Sequence, residues 1–534
     1  MFHKTGQILS RLIKQWSPNK PRPAADQNEP LSSSIQVNLN KISSVFANAS
    51  DLVIRQLQIG TREQTEAFVV YLDGLVEKTI VNDNILEPLT LELRQAQANG
   101  GVSRKRVLAL IKKQVLSVGQ VKEATTVQAV IDAVLSGETV IVIDGSAVAL
   151  VANTRGWETR GVQEPPTESV VRGPREGFTE TLRTNTALLR RKIKNINLKL
   201  ETMKIGKQTK TDVCIAYLKG IVNDKLVEEV KRRLAEIDTD SILESGYIEQ
   251  FIEDAPYSFL PTVGNTEKPD IAAAKLLEGR IVILTDGTPF ALTVPYLFME
   301  AFQSSEDYYS RPFYSTIVRW IRFTAFFLSV FSPAIYVALT TFHPEMLPPA
   351  LLISMAAARE GTPFPAIVEA LGMGVIYEIL REAGIRLPKP IGQAVSIVGA
   401  LVIGESAVTA GLIGAPMVIV ISITAIASFV VPAISDVTAV MRLILTVMAG
   451  IFGQYGIMMA VAGILTHMVS LRSLGVPYLS PLAPTNIPDL KDVLIRAPWW
   501  AMSTRPRVIG WHRPVRQKFH LKPEPPSDTN RDRT

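Results

Sequence analysis

The chain is 534 residues long, 47% apolar and 20% charged, with a formal net charge of +6 and a positive mean hydropathy. Residues 323–470 hold 12 charges, while the other 386 residues hold 94. This split excludes a purely soluble enzyme and a bare permease alike, and requires a soluble region joined to a membrane region.

The excess cations all lie after residue 470, where 11 Lys/Arg stand against 5 Asp/Glu. Beside apolar spans, such an excess marks the cytoplasmic side and not a nucleic-acid partner. Residues 1–38 read as a flexible leader. Lys4, Arg11 and Lys14 interrupt any apolar run near its start, so no export signal is expected and the soluble region belongs in the cytoplasm. Residues 17–36 are rich in Pro, Ser and Asn.

Two α/β subdomains, 39–153 and 195–310, are expected as copies of one unit. Residues 51–76 align without gaps on 197–222, and 136–151 align on 278–293. The offsets are 146 and 142 residues, so a four-residue length change lies between the two blocks. A single repetition means a duplicated domain, since a solenoid needs three or more units. Each copy is expected to run strand, helix, helix and closing hairpin. Runs such as AFVVYL and VCIAYL form strands, while Val127–Leu135 and Leu226–Ile237 form helices. Asp144-Gly145 and Asp286-Gly287 suit hairpin turns, where a positive φ favours glycine.

An insert with a basic helix, 154–194, separates the copies. Its first part, TRGWETRGVQEPPTESVVRGPREGF at 154–178, has no periodicity, and so long a structureless stretch inside a compact domain is usually functional or disordered. The helix at Thr179–Ile193 carries Arg183, Arg190, Arg191 and Lys192.

An all-α polytopic membrane domain is expected at 311–470, with spans near 323–342, 391–413, 415–434 and 443–469. Arg311, Arg319 and Arg322 hold the first of these with its start inside. Residues 346–358 are too few to span. Across 362–386, Leu371, Val375 and Ile379 share one face and Glu378, Arg381 and Glu382 another, so 346–386 reads as re-entrant or interfacial. Four spans return the basic tail, 471–534, to the cytoplasm. There Arg505, Arg507, Arg513 and Arg516 serve either as contacts to anionic lipid or as a topology signal. The span at 391–413 places Glu405 among the small residues Gly399, Gly404 and Ser406. An acid at that depth either lines a pore or senses protons, or it pairs with a neighbour and locks the bundle. Arg442 reads as an interface anchor.

Chemistry is expected to be absent. The five histidines are scattered, and Glu201 stands where the first glycine of a P-loop ending at Gly206-Lys207 would be. Glu164 and Glu168 are four residues apart, but Pro165-Pro166 keeps them off one helical face. The single cysteine, Cys214, excludes internal disulfides and multi-cysteine zinc sites. No enzyme, cofactor or metal site is expected.

Five segments resemble the A subunits of the GerA family of spore germination receptors: GVQEPPTESVVRGPREGF (161–178), SSEDYYSRP (304–312), AAAREGTPFPAIVEAL (356–371), EILREAGIRLPKPIGQAVSIVGALVIGESAV (378–408) and LRSLGVPYLSPLAP (471–484). The likeness covers about 40–485. It departs at Glu405, where the family pattern has an uncharged residue, often Gln. The resemblance implies a multi-pass protein of the spore inner membrane with both termini cytoplasmic. It also implies a permease-like B subunit and a lipoprotein C subunit as partners, homo-oligomeric assembly in lipid, and transduction of nutrient sensing into germination. An oligomeric ion channel is one form that this transduction can take. Within the insert, Glu164, Pro165, Pro166, Glu168, Arg172, Arg175 and Glu176 are the candidates for coupling or subunit contact; the plainer alternative is an ordered linker. The rival reading is a self-sufficient transporter with cytoplasmic regulatory domains, which calls for a repeat among the spans. Duplication is visible only in the soluble half.

Overall fold

A computed structural model describes residues 29–59, 65–90, 121–156, 165, 168, 170–386, 404–509, 513–518 and 521–523. Most of the expected leader, Glu164, Pro166, Gly399 and the greater part of the 391–413 span lie outside the described residues. The chain divides into two compact units, residues 1–162 with 181–202 and residues 163–180 with 203–534.

The first unit contains α1 (Ile35–Val45), β1 (Leu52–Ile59), β2 (Thr65–Leu72), β3 (Val121–Ala124), α2 (Val127–Leu135), β4 (Thr139–Ile143), β5 (Ala149–Ala152) and α3 (Leu182–Lys192). Its sheet has the order β1-β2-β4-β5-β3, with antiparallel pairing throughout. Every residue of β4 is buried. Val140 and Val142 face the cluster of α1 and α2, whereas Ile141 and Ile143 face the helical turns at 78–90. A strand covered on both faces reads as a continuous apolar run, because neither side is left for water. Thr126 caps α2, its hydroxyl accepting from the Ala129 N–H at 3.2 Å.

The second unit repeats this plan. It has β6 (Leu198–Ile205, which begins ahead of the unit boundary), β7 (Thr211–Leu218), α4 (Asp224–Ala235), α5 (Ser245–Ile252), β8 (Gly264–Thr266), α6 (Pro269–Glu278), β9 (Ile281–Thr285) and β10 (Ala291–Val294). The sheet order β6-β7-β9-β10-β8 is that of the first unit. The register is repeated as well: Ala67↔Ile143 recurs as Val213↔Thr285, and Ala124↔Ala149 as Thr266↔Ala291. The same fold, with the length change confined to the stretch between β2 and β3, is what a gene duplication leaves. Gly145 and Gly287 both take positive φ in the β4–β5 and β9–β10 connections. Pro269 begins α6 and Gly279, at φ 99°, ends it.

The helical region begins with α7 (Pro312–Thr341), followed by α8 (Pro349–Arg359), α9 (Ala366–Arg386), α10 (Ala415–Phe429) and α11 (Ser435–Ser470). α7 and the 432–470 stretch are long and apolar enough to cross a membrane. α11 is not one rod. At Gly453 (φ 62°, ψ −142°) the chain turns back so sharply that a Cβ on Gly456 would strike the carbonyl of Met448. In a straight helix, residues eight apart stand about 12 Å apart along the axis. The first arm, 435–452, therefore rises beside α7, from Arg442 at Ser329 to Gly453 at Phe342. The second arm, 454–470, descends until His467 meets Ser258 and Phe259.

Within this region α9 buries Ala366, Glu369, Ala370, Met373 and Tyr377. Glu378 pairs with buried Arg442 and, at 2.8 Å, with Arg381, while Val375 and Ile379 are exposed. Ile367 lies against Gly450, so α9 runs antiparallel to the first arm of α11.

Candidate functional site

The insert between the two copies, the 304–312 segment and the C-terminal stretch after residue 486 converge within the second unit. Among the described insert residues, Glu168 and Phe178 bond to the end of β8 and the turn that leads into α6. Glu168 accepts from the Thr266 hydroxyl at 2.7 Å and from the Glu267 N–H at 2.9 Å. Burial, ahead of these hydrogen bonds, pushes its carboxyl above the usual range. The Phe178 N–H donates to the Glu267 carbonyl at 2.7 Å, and the Glu180 carbonyl accepts from the Gly287 N–H at 2.7 Å. Lys268 is fully buried beside Glu168, and its ammonium makes no hydrogen bond among the described residues.

One step along the insert, the backbone is held from the other side. The Val171 and Arg172 N–H groups donate to the Glu306 carboxylate at 2.5 and 3.3 Å. Gly173, at φ 143°, lies flat under the Tyr309 ring, where a Cβ would come within 2.7 Å of Cδ2. Tyr309 in turn donates to Asp270 on α6 at 2.5 Å. Burial and that carboxylate push the phenol well up. The insert is thereby clamped between α6 and the residues that lead into α7.

The segment 304–309 then joins α7 to the C-terminal stretch. Asp307 and Arg319 are almost inaccessible, 2% and 0% exposed, and pair at 3.2 Å. Arg322 adds contacts of 2.8 and 2.9 Å to the same carboxylate. Arg319 also reaches Asp492, at 3.2 Å to the carboxylate and 2.6 Å to its carbonyl, and Tyr308 donates to Asp492 at 2.8 Å. Burial pushes the Asp492 carboxyl up despite Arg319. Arg496 bonds the carbonyls of Asp307 and Tyr308 at 3.0 and 3.2 Å, and stacks over Tyr308 and Trp499. Neighbouring Glu300 takes Lys275 and Arg280, the latter at 2.5 Å. Burial alone would raise its carboxyl, but the two cations hold it below the usual range.

This network of buried charge forms a joint between the head of α7, the segment 304–309 and the C-terminal stretch. Each ion is satisfied by a fixed partner, and severing one pair leaves the other charge buried. The sequence candidates divide accordingly. Pro165 is buried, Glu168 and Glu176 are half-buried, and Arg172 and Arg175 are exposed. The joint brings Glu168 and the Arg172 backbone into one clamp, while the Arg172 side chain takes no part in the bonds described. Glu405 and Ser406 are exposed within the helical residues 404–409, and Gly404 is buried against Val418. Among the described residues the buried acid of the helical region is instead Glu369, whose side chain is inaccessible and 4.0 Å from Arg359, while half-buried Glu378 pairs with Arg442. Arg442, expected as an interface anchor, is an inward ion-pair partner that also sits over Tyr377. Arg319, expected as a topology charge, is the centre of the joint. Its signal in sequence was the spacing of Asp307, Arg319 and Arg322, which nothing local connects to Asp492.

The family model for Bacillus/Clostridium GerA spore germination proteins matches residues 40–508, carrying the likeness past 485 and through the C-terminal part of the joint. Spore germination protein KA of Bacillus subtilis is 45% identical over 497 residues, covering 93% of this chain and 90% of that protein. GerLA of Bacillus cereus is 40% identical, covering 88% and 94%. An uncharacterized membrane protein of Bacillus subtilis, YfkQ, is 42% identical over 97% of this chain and 98% of its own. Among solved structures, the N-terminal domain of the A subunit of the Bacillus megaterium germinant receptor GerK3 shares 39% identity and covers 51% of this chain and 98% of that one, with a TM-score of 0.41.

Proposed function

The chain belongs to the GerA spore germination family, and from that premise we propose that it is the A subunit of a nutrient germinant receptor, passing a nutrient signal across the spore inner membrane to start germination. The observation that carries the reading is the joint itself. Buried charge locks the 304–309 segment and the C-terminal stretch onto the first turns of α7, and the hydrogen bonds of Glu306 to the insert and of Tyr309 to Asp270 tie that segment to the second α/β domain. A displacement of α7 is thereby transmitted to the soluble domain, and the reverse.

In this reading the chain is multi-pass. α7 runs outward, α9 returns, and the 391–413 segment, largely outside the described residues, is counted as the span that the sequence expects. α10 returns, and the two arms of α11 go out and back. Six crossings leave the C-terminal stretch on the side where α7 begins, as the contact between Arg319 and Asp492 requires. This reading counts six crossings where apolar run length alone expects four. The inward ion pairs of α9 support counting it as a crossing, since its exposed face is the apolar one. A permease-like B subunit and a lipoprotein C subunit are the partners, and copies of this chain assemble together. Nutrient binding in a partner shifts a two-state equilibrium of the helices by its differential affinity, and the chain itself carries out no catalysis. An ion path through the assembly is the output.

The test is nutrient-triggered loss of dormancy in spores lacking only this chain, across amino acids, sugars and mixtures. Selective loss restored by the wild-type gene is expected, with Asp307→Asn failing to restore it while the protein remains in the membrane. Unchanged responses to every nutrient refute the receptor role.

A further inference from the structure

The surface of the second unit carries one feature that the joint does not use. Tyr257 is fully exposed, and Phe251 is exposed one loop earlier, at the end of α5. An aromatic side chain left wholly in water buries none of its large apolar surface. Yet the residues beside Tyr257 are firmly placed. Ser258 bonds the His467 imidazole at 2.9 Å, the Phe259 ring lies 5.8 Å from that imidazole, and Leu260 is buried in the core that α7 and α11 share.

His467 fixes the height of this loop. It stands three residues before the end of α11, hence about 4.5 Å inside the helix terminus. On the same arm Leu465 and Val469 are exposed, the face that a spanning helix turns to lipid. An open cleft of about 550 Å³, lined by Phe251, Glu253, Asp254, Ser470 and Arg472, brings the end of α5 close to the helix terminus. Tyrosine is favoured at this height, because its ring enters the headgroup layer while its hydroxyl stays wet.

We infer that the 255–260 loop is a bilayer contact of the soluble domain, with Tyr257 seated in the headgroup layer beside the descending arm of α11. The inference rests on the spanning reading of α11. Its consequence is that the second α/β domain touches lipid directly, in addition to being tethered through α7.

Cys214, the only cysteine, is fully buried, so a single introduced cysteine can be spin-labelled selectively in the full chain. Three variants are reconstituted in vesicles of phosphatidylcholine and phosphatidylglycerol: Tyr257→Cys, Leu465→Cys as the lipid reference and Lys219→Cys as the water reference. Collisions with oxygen and with a water-soluble nickel chelate are then compared. The expected result is that Tyr257→Cys loses nickel collisions and gains oxygen collisions relative to Lys219→Cys, lying between the two references. A Tyr257→Cys label as nickel-accessible as that at Lys219, with Leu465→Cys in lipid, overturns the contact and leaves the spanning reading intact. A Leu465→Cys label in water overturns the spanning reading, and the contact with it. Shielding of Tyr257→Cys that appears only with spin–spin broadening at high protein density assigns the surface to a second copy and overturns the lipid contact.

Discussion

Replacing Gly173 by Ala tests the clamp on the insert at its narrowest point. At φ 143° an L-residue is strained, at a cost of about 1–2 kcal/mol. The new Cβ would stand 2.7 and 2.8 Å from two atoms of the Tyr309 ring, which must move. In moving, the ring gives up its hydrogen bond to the Asp270 carboxylate, a bond of the charged class worth about 1.5–3 kcal/mol. Partial relaxation leaves an expected loss of about 2–4 kcal/mol for Gly173→Ala, read as a shift of the denaturant midpoint of the full chain in detergent. Tyr309→Ala alone removes the hydrogen bond and the ring. In the double variant the steric part has no target, so only the backbone part of the glycine substitution adds to it. The two changes should therefore be less than additive by about 1–2 kcal/mol. Strict additivity, or a Gly173→Ala chain as stable as the wild type, would refute the packing of the insert under Tyr309.

Two further predictions concern charge. Asp307→Asn keeps the side-chain shape but leaves Arg319 and Arg322 facing a neutral group in a buried site. A loss of about 3–5 kcal/mol is expected, partly recovered when Arg319→Met is added; a loss below 1 kcal/mol in the single variant would show that water reaches the pair. Glu249 on α5 has its carboxyl pushed up to about 7, by burial first and by Glu253 and Glu244 next. Because the folded chain holds this proton more tightly than the unfolded one, the penalty is absent below about pH 4.5, grows as pH rises through 7, and is complete above it. Glu249→Gln should therefore stabilise the chain by about 1–2 kcal/mol at pH 8, allowing for solvent screening, and have no effect near pH 4.5. Equal melting temperatures of variant and wild type at both pH values would show that Glu249 is solvated.

The duplicated domain was legible because strand pairing copies sequence alignment. The offsets of 146 and 142 residues reappear as identical sheet order and identical register. Less regular strands escaped. β1 and β6 alternate Lys, Arg, Glu and Gln with apolar residues, and β3 and β8 are three or four residues long. The edge strands β3 and β8 exist because β5 and β10 offer them a free edge, a property of the sheet and not of their own residues. Run length likewise hid the reversal at Gly453, since an apolar stretch reads the same whether it continues or folds back.

Sequence by itself determined the charge-poor stretch at 323–470, the duplication and the family likeness of the EPP insert, because each is written in composition or in contiguous residues. Tertiary structure alone decided which charges matter. Asp307, Arg319 and Asp492 are separated by up to 185 positions, and they become one site only when the C-terminal stretch folds back over the start of α7. The polar face of α9 was visible in its sequence, but whether that face meets water or Arg442 depends on what packs against it. Burial then inverts the meaning of each charge. In solvent it marks a boundary, and inside the fold it demands a partner.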